Sequence, residues 1–135
     1  MYVKDIMSTN ICKVDPKDNI STVASIMTEK GVGMIPVCQK NTLVGVVTDR
    51  DLVTRAYSKG NVNIPVQEVM TCSPVTVNEN QSVLECSRLM AKNKIRRIPV
   101  TNGNQLIGIV SLCDIARQKN LNMEASVAIS EISER

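Results

Sequence analysis

Apolar positions along this chain recur at two periods, and the switching between them predicts its elements. After a short apolar stretch at Ile11 to Val14, residues Ile20, Val23, Ala24 and Met27 fall at i, i+3, i+4 and i+7. They define one face of a helix that stops at Gly31. Met34 to Cys38 and Leu43 to Thr48 then read as strands around a turn at Gln39 to Thr42. Leu43, Val44, Val46 and Val47 are continuous enough for a strand covered on both faces. Pro36 cannot donate to a ladder, so it marks an edge or a bulge. Asp51 to Tyr57 reads as a closing helix with Leu52, Val53 and Ala56 on one side.

The same order returns 63 residues later. Val3 to Thr54 aligns without a gap on Val66 to Arg117, with twelve identities such as Ile35/Ile98, Pro36/Pro99, Gly45/Gly108 and Asp51/Asp114. Random composition would give roughly three. The second copy predicts a helix opened by a Ser82–Glu85 capping box, with Val83, Cys86, Ser87 and Met90 inward. Strands follow at Ile95 to Thr101 and Gln105 to Ser111, then a helix at Asp114 to Lys119. Pro99 repeats the edge or bulge signal of Pro36. Each copy therefore reads strand, helix, strand, strand, helix. A unit of this size is marginal alone, so the two are expected to pack face to face and share one core. Ile26 and Leu89 widen the helical stripes and suggest a further contact. Residues 1–60 form the first domain, 61–65 a linker, 66–120 the second domain and 121–135 a C-terminal segment. In that segment Met123 to Glu134 forms an amphipathic helix through Val127, Ala128 and Ile132.

Composition narrows the chemistry. At 135 residues and 43% hydrophobic, the chain can bury about two-thirds of its unfolded surface as a soluble globular protein. A net charge of +3 supplies no dense basic stripe, and with no Trp, no Phe and only two Tyr there is no stacking platform; both argue against nucleic acid. The absence of His removes the usual general base, the Ser-His and Cys-His pairs and the commonest metal ligand. Cys12, Cys38, Cys72, Cys86 and Cys113 follow no zinc-ligand spacing and are expected as small buried apolar residues of a reducing cytoplasm. No apolar run reaches membrane-spanning length, and the first residues do not resemble a signal peptide. No catalytic residue and no metal site is expected.

The duplicated polar residues carry what chemistry remains. Each copy ends its second hairpin strand on a hydroxyl with a carboxylate three residues on: Thr48 with Asp51, and Ser111 with Asp114. Such a pair can be a helix cap. A carboxylate beside an opening left by a strand glycine, Gly45 or Gly108, can also accept both hydroxyls of a ribose. The two roles are compatible.

The pattern of an apolar residue, Pro and Val, a turn, then Leu-apolar-Gly, two apolar residues, Thr or Ser, two residues and Asp resembles the cystathionine beta-synthase (CBS) domain. It occurs twice and covers nearly all of residues 3–119. The resemblance implies an α/β (α+β) fold of two β-α-β-β-α units packed as a pseudo-two-fold Bateman module. It also implies two clefts for an adenosine compound such as AMP, ADP, ATP, S-adenosylmethionine or NADH. Carried over by position, Asp51 and Asp114 would hold ribose hydroxyls, with Thr48 and Ser111 beside them. Cys12, Lys13, Val75 and Thr76 of the first strands, with Ile35 and Ile98 next to Pro36 and Pro99, would line the adenine slots. The copies differ where Arg96 and Arg97 replace Gly33 and Met34, and where Leu112 and Cys113 replace Asp49 and Arg50. The clefts are therefore expected to be unequal, with Arg96 or Arg97 on phosphate and Arg50 as a partial substitute in the first copy.

The leading expectation is a regulatory adenosine-ligand sensor without catalysis. The resemblance also implies pairing into a homodimer and action on a regulated protein. The alternative is a protein-interaction module with vestigial clefts, working through its helical face. An inosine monophosphate dehydrogenase activity would need a separate barrel of about 250 residues.

Overall fold

A computed structural model describes residues 1–118 and 122–133, without the side chains of 122–125. Lys119 and Glu134, where two helices were expected to end, lie outside the described residues. The fold is mixed α+β, in the order α1 (Ile20–Lys30), β1 (Met34–Gln39), β2 (Thr42–Thr48), α2 (Asp49–Asp51), β3 (Thr71–Cys72), β4 (Val77–Asn78), α3 (Val83–Asn93), β5 (Arg97–Asn102), β6 (Gln105–Ser111), α4 (Leu112–Ala116) and α5 (Asn122–Ser133).

Two compact units emerge. One joins Met1–Ile11 to Val75–Arg135, and the other is Cys12–Pro74. The leading segment of each sequence copy thus lies in the unit built on the body of the other copy. Val3 donates its N–H to the Gln81 carbonyl at 2.9 Å, and its counterpart Val66 donates to the Asp18 carbonyl at 2.8 Å. Both side chains are fully buried, each contributing about 1.5–2 kcal/mol of transfer free energy. In place of the single shared core expected above, the buried apolar residues form two clusters. One gathers Val14, Ile20, Val23, Met27, Ile35, Val37 and Val47; the other gathers Val77, Val83, Cys86, Met90, Ile98, Val100 and Val110. Each cluster draws on a helix, a hairpin and the added leading segment, completed by Ala56 in one unit and by Leu112, Ile115, Ala128 and Ile132 in the other.

In the Cys12–Pro74 unit, β1 pairs antiparallel with β2, and β2 with β3. In the other unit, β4 runs parallel to β5, and β5 antiparallel to β6. Both hairpins carry a bulge one residue past the proline, between Val37 and Cys38 and between Val100 and Thr101. That meets the expectation for Pro36 and Pro99. The strand expected at Ile11 to Val14 shrinks to one bridge, Val14 to Val37. The chain turns at once there: the Asp15 carboxylate takes the Lys17 N–H, and the Asp18 carboxylate takes the Asp15 N–H.

The helices obey their sequence signals with five corrections, the first being that Ala24, expected on the inward face of α1, is exposed. Ser82 caps α3 through the Glu85 N–H, but the Glu85 carboxylate accepts from the Gln81 side-chain amide instead of closing the box. The helix expected from Asp51 starts at Asp49 and widens into a π-helical turn, Leu52–Ala56, which buries Ala56 and leaves Val53 exposed. The helix expected from Asp114 begins at Leu112, capped by Ser111. Ala128 and Ile132 of α5 are buried, four residues apart, whereas Val127 is half exposed. Gly31 ends α1 in the left-handed region at φ 65°. Its counterpart Lys94 takes the same conformation at φ 54°, and its ammonium donates to the Glu131 carbonyl of α5 at 2.9 Å.

None of the described helices is long and apolar enough to cross a membrane. Of the five cysteines only Cys38 and Cys86 are buried; Cys12 is half-buried, and Cys72 and Cys113 are exposed. Burial pushes the Cys86 thiol up to about 12 and raises that of Cys38 against the opposing charge of Lys13.

Candidate functional site

The β1–β2 register decides which predicted residues can act together. Met34 stands opposite Thr48, Ile35 opposite Val47 and Pro36 opposite Val46. Directly opposed residues project from one face, and successive residues alternate. Met34, Pro36 and Thr48 therefore share a face, and Ile35 and Val47 lie on the core face. In the other unit Arg97 stands opposite Ser111, Ile98 opposite Val110 and Pro99 opposite Ile109. Arg97, Pro99 and Ser111 share the corresponding face.

Several expected lining residues are thereby reassigned. Ile35 and Ile98 have no exposed surface and belong to the two cores, so their side chains line no open slot. Cys12 and Val75 are half-buried and pack against the same cores. Lys13 and Thr76 alternate with the buried Val14 and Val77, which places them on the faces of Pro36 and Pro99. The Lys13 ammonium donates to the Asn41 side-chain carbonyl at 2.6 Å. That contact draws its charge to the hairpin turn, away from Thr48 at the strand end.

At the end of β2 the Thr48 hydroxyl accepts the Asp51 N–H at 3.1 Å, and Asp51 Oδ2 accepts the Thr48 N–H at 2.9 Å. The end of β6 reproduces this, with Ser111 and Asp114 bonded at 3.0 and 2.9 Å. Both are reciprocal capping boxes, so the helix-cap role is realised in each copy. One oxygen of each carboxylate is thereby committed. The hydroxyls accept those bonds and keep a proton to donate elsewhere.

The second carboxylate oxygens meet arginines not anticipated from the sequence. Asp51 Oδ1 lies 3.6 Å from Arg55 Nε, and Asp114 Oδ1 lies 2.7 Å from Arg117 Nη2. The side chains of Asp51 and Asp114 are 13% and 19% exposed. Arg55 also reaches the Val69 and Met70 carbonyls at 3.4 and 3.3 Å. The i, i+4 and i, i+3 spacings were the available signal.

The glycines have a packing role. A Cβ on Gly45 would lie 2.7 Å from Met70 Sδ and 2.8 Å from the Thr71 carbonyl oxygen; one on Gly108 would lie 2.6 Å from Met7 Sδ. What approaches these glycines is the chain's own methionines and backbone.

Near the strand ends the two copies part in charge. The Asp49 N–H donates to the Gly33 carbonyl at 3.0 Å, and the Leu112 N–H to the Arg96 carbonyl at 2.8 Å, so the surrounding backbone is equivalent. Arg50, Arg96 and Arg97 are exposed, and none forms an ion pair among the described residues. No cluster of three or more His, Cys, Asp or Glu side chains that could hold a metal ion occurs among the described residues.

Comparisons with known proteins agree with this arrangement. A family model for the CBS domain matches residues 3–58 and 66–120. The chain is 41% identical over 132 residues, 97% of its length and 94% of its relative's, to the CBS domain-containing protein YhcV of Bacillus subtilis (strain 168). The crystal structure of CBSX2 in complex with AMP superposes with a TM-score of 0.77 at 30% identity, covering 91% of this chain and 98% of that one. The CBS domain pair of protein MJ0100, solved with 5′-methylthioadenosine and S-adenosyl-L-methionine, gives 0.77 at 27% identity, covering 87% and 94%.

Proposed function

This chain belongs to the CBS-domain family, and from that membership we propose that it is a regulatory module that binds an adenosine compound and performs no catalysis itself. The observation that carries the reading is the duplicated hydroxyl–carboxylate pair. In each copy one carboxylate oxygen is fixed by a backbone N–H and the other faces an arginine. A ribose diol could share that second oxygen with the guanidinium while the Thr48 or Ser111 hydroxyl donates to the ligand. Pro36 and Pro99 are themselves buried, so the half-buried Thr48 and Thr76 on their faces supply the surface for the remainder of the nucleoside. Arg97 stands on the Ser111 face and is the better placed arginine for phosphate; Arg96 precedes the strand. The ligands of CBSX2 and MJ0100 support the class.

Melting curves with AMP, ADP, ATP, S-adenosylmethionine and NADH test the proposal. At a hundredfold excess over Kd, a ligand binding only the folded chain stabilises it by about 2.7 kcal/mol. At least one compound should raise Tm accordingly. A folded protein that none of them shifts or titrates calorimetrically would overturn the reading in favour of a protein-interaction module with vestigial clefts. An open groove of about 530 Å³ between α3 and α5, with Leu84 and Val127 among its lining, is the feature such a module would use.

We also propose a homodimer in the cytoplasm, consistent with the half-buried Ile26 and Leu89. Light scattering at micromolar concentration should give twice the chain mass, and Ile26→Glu with Leu89→Glu should halve it with the circular dichroism spectrum retained. A wild-type monomer would refute the pairing.

A further inference from the structure

Asp49 stands where the second copy has a buried leucine, and its exposed carboxylate takes the next peptide N–H and lies beside Gly33. Its Oδ1 accepts the Arg50 N–H at 2.8 Å, and its Oδ2 lies 3.1 Å from where a Cβ on Gly33 would be. The counterpart of Gly33 is Arg96, and that of Asp49 is Leu112, which is 7% exposed. The corresponding backbone hydrogen bonds, Asp49 to Gly33 and Leu112 to Arg96, show that the two positions are built alike. The Asp49 carboxylate thus lies against the backbone position at which the second copy carries Arg96. One residue on, Met34 replaces the charge of Arg97. Beside the Asp51 and Asp114 common to both copies, the first copy's strand end carries one acid and one base, Asp49 and Arg50, whereas the second carries two bases, Arg96 and Arg97.

From this we infer that Asp49 is a specificity-determining residue that excludes phosphorylated ligands from the first copy's strand end. That end takes an adenosine compound whose 5′ substituent carries no negative charge, such as a thioether or a sulfonium, while Arg96 and Arg97 take a 5′-phosphate. The inference rests on the adenosine-ligand reading above. Physically, a phosphate brought beside the Asp49 carboxylate meets like charge that Arg50 only balances, whereas at the second strand end it meets Arg96 and Arg97. A neutral or cationic group meets none of that repulsion. A side chain at Gly33 would crowd the Asp49 carboxylate, with its Cβ 3.1 Å from Oδ2. Lys13 does not offset the acid, since its ammonium is drawn to Asn41 at the hairpin turn.

Calorimetric titration of AMP and 5′-methylthioadenosine, alone and each in the presence of the other, tests the assignment on the full chain. Wild type should bind one AMP per chain tightly and still take 5′-methylthioadenosine when saturated with AMP. Asp49→Asn keeps an oxygen for the Arg50 N–H and removes only the charge. It should admit a second AMP with affinity raised at least tenfold, while 5′-methylthioadenosine affinity stays within about twofold. Arg96→Ala with Arg97→Ala should weaken the first AMP at least tenfold. Two equivalent AMP sites in wild type, full competition between the two ligands, or an Asp49→Asn variant that titrates like wild type would each overturn the inference while leaving the adenosine reading intact. Failure of both ligands to bind the folded wild type would remove the adenosine reading and this inference together.

Discussion

Replacing Gly45 by alanine is expected to destabilise the Cys12–Pro74 unit by about 2–3 kcal/mol, a fall in Tm of about 10 °C for a chain of this size. The new methyl carbon would lie 2.7 Å from Met70 Sδ and 2.8 Å from the Thr71 carbonyl oxygen. The thioether can rotate away. The carbonyl cannot, because Thr71 and Cys72 are held in register against Val46 and Gly45. Gly108 provides the control. A methyl carbon there would meet Met7 Sδ at 2.6 Å and the Ser8 carbonyl oxygen at a more tolerant 3.2 Å, so the flexible side chain bears the strain. Gly108→Ala should therefore cost about 1 kcal/mol, reduced further by the lower entropy of the unfolded alanine chain. Met7→Ala should relieve the Gly108→Ala clash, whereas Met70→Ala should relieve Gly45→Ala only in part. Denaturant melts of the four variants check the ranking; equal losses at the two glycines would show that the backbone carbonyl is not the obstacle.

Those glycines also show where sequence reading stops. An internal strand glycine signals a close approach, and both copies have one, but the approaching atoms belong to Met70 for Gly45 and to Met7 for Gly108, partners remote from them along the chain. Local signals fared better. The Thr48–Asp51 and Ser111–Asp114 boxes, the α1 stop at Gly31 and the bulges after Pro36 and Pro99 all depend on residues within a few positions of each other. Ile35 and Ile98 were drawn toward a ligand slot by adjacency to proline. Their parity relative to Thr48 and Ser111 depends on turn length and bulge position, and the paired register puts both in the core. The π-helical turn after Asp51 has no composition signal, and it brings Arg55 toward Asp51 and the Val69 and Met70 carbonyls together. The exchange of leading segments was equally hidden, because Val3 and Val66 look alike and nothing nearby states which body each will join.

Substitutions at Asp51 and Asp114 separate the cap from the proposed ribose clamp. Alanine removes the acceptor for the Thr48 or Ser111 N–H and should cost about 1 kcal/mol of stability as a lost cap partner. Asparagine retains a carbonyl oxygen for that bond and should cost much less. If the carboxylate also holds two ribose hydroxyls, both substitutions remove charge-assisted bonds worth about 1.5–3 kcal/mol each. Adenosine affinity at the corresponding site should then fall about a hundredfold in Asn and Ala variants alike. The arginine partner sharpens the comparison. Arg117 lies 2.7 Å from Asp114 Oδ1, whereas Arg55 stands off at 3.6 Å, so a hydroxyl approaching Asp51 displaces less than one approaching Asp114. Arg117→Ala should accordingly improve adenosine binding at Asp114 by a larger factor than Arg55→Ala does at Asp51. Calorimetric titration with adenosine, beside melting curves of the unliganded variants, resolves the two roles. An alanine variant that melts lower yet binds adenosine as wild type does would leave Asp51 and Asp114 as helix caps alone.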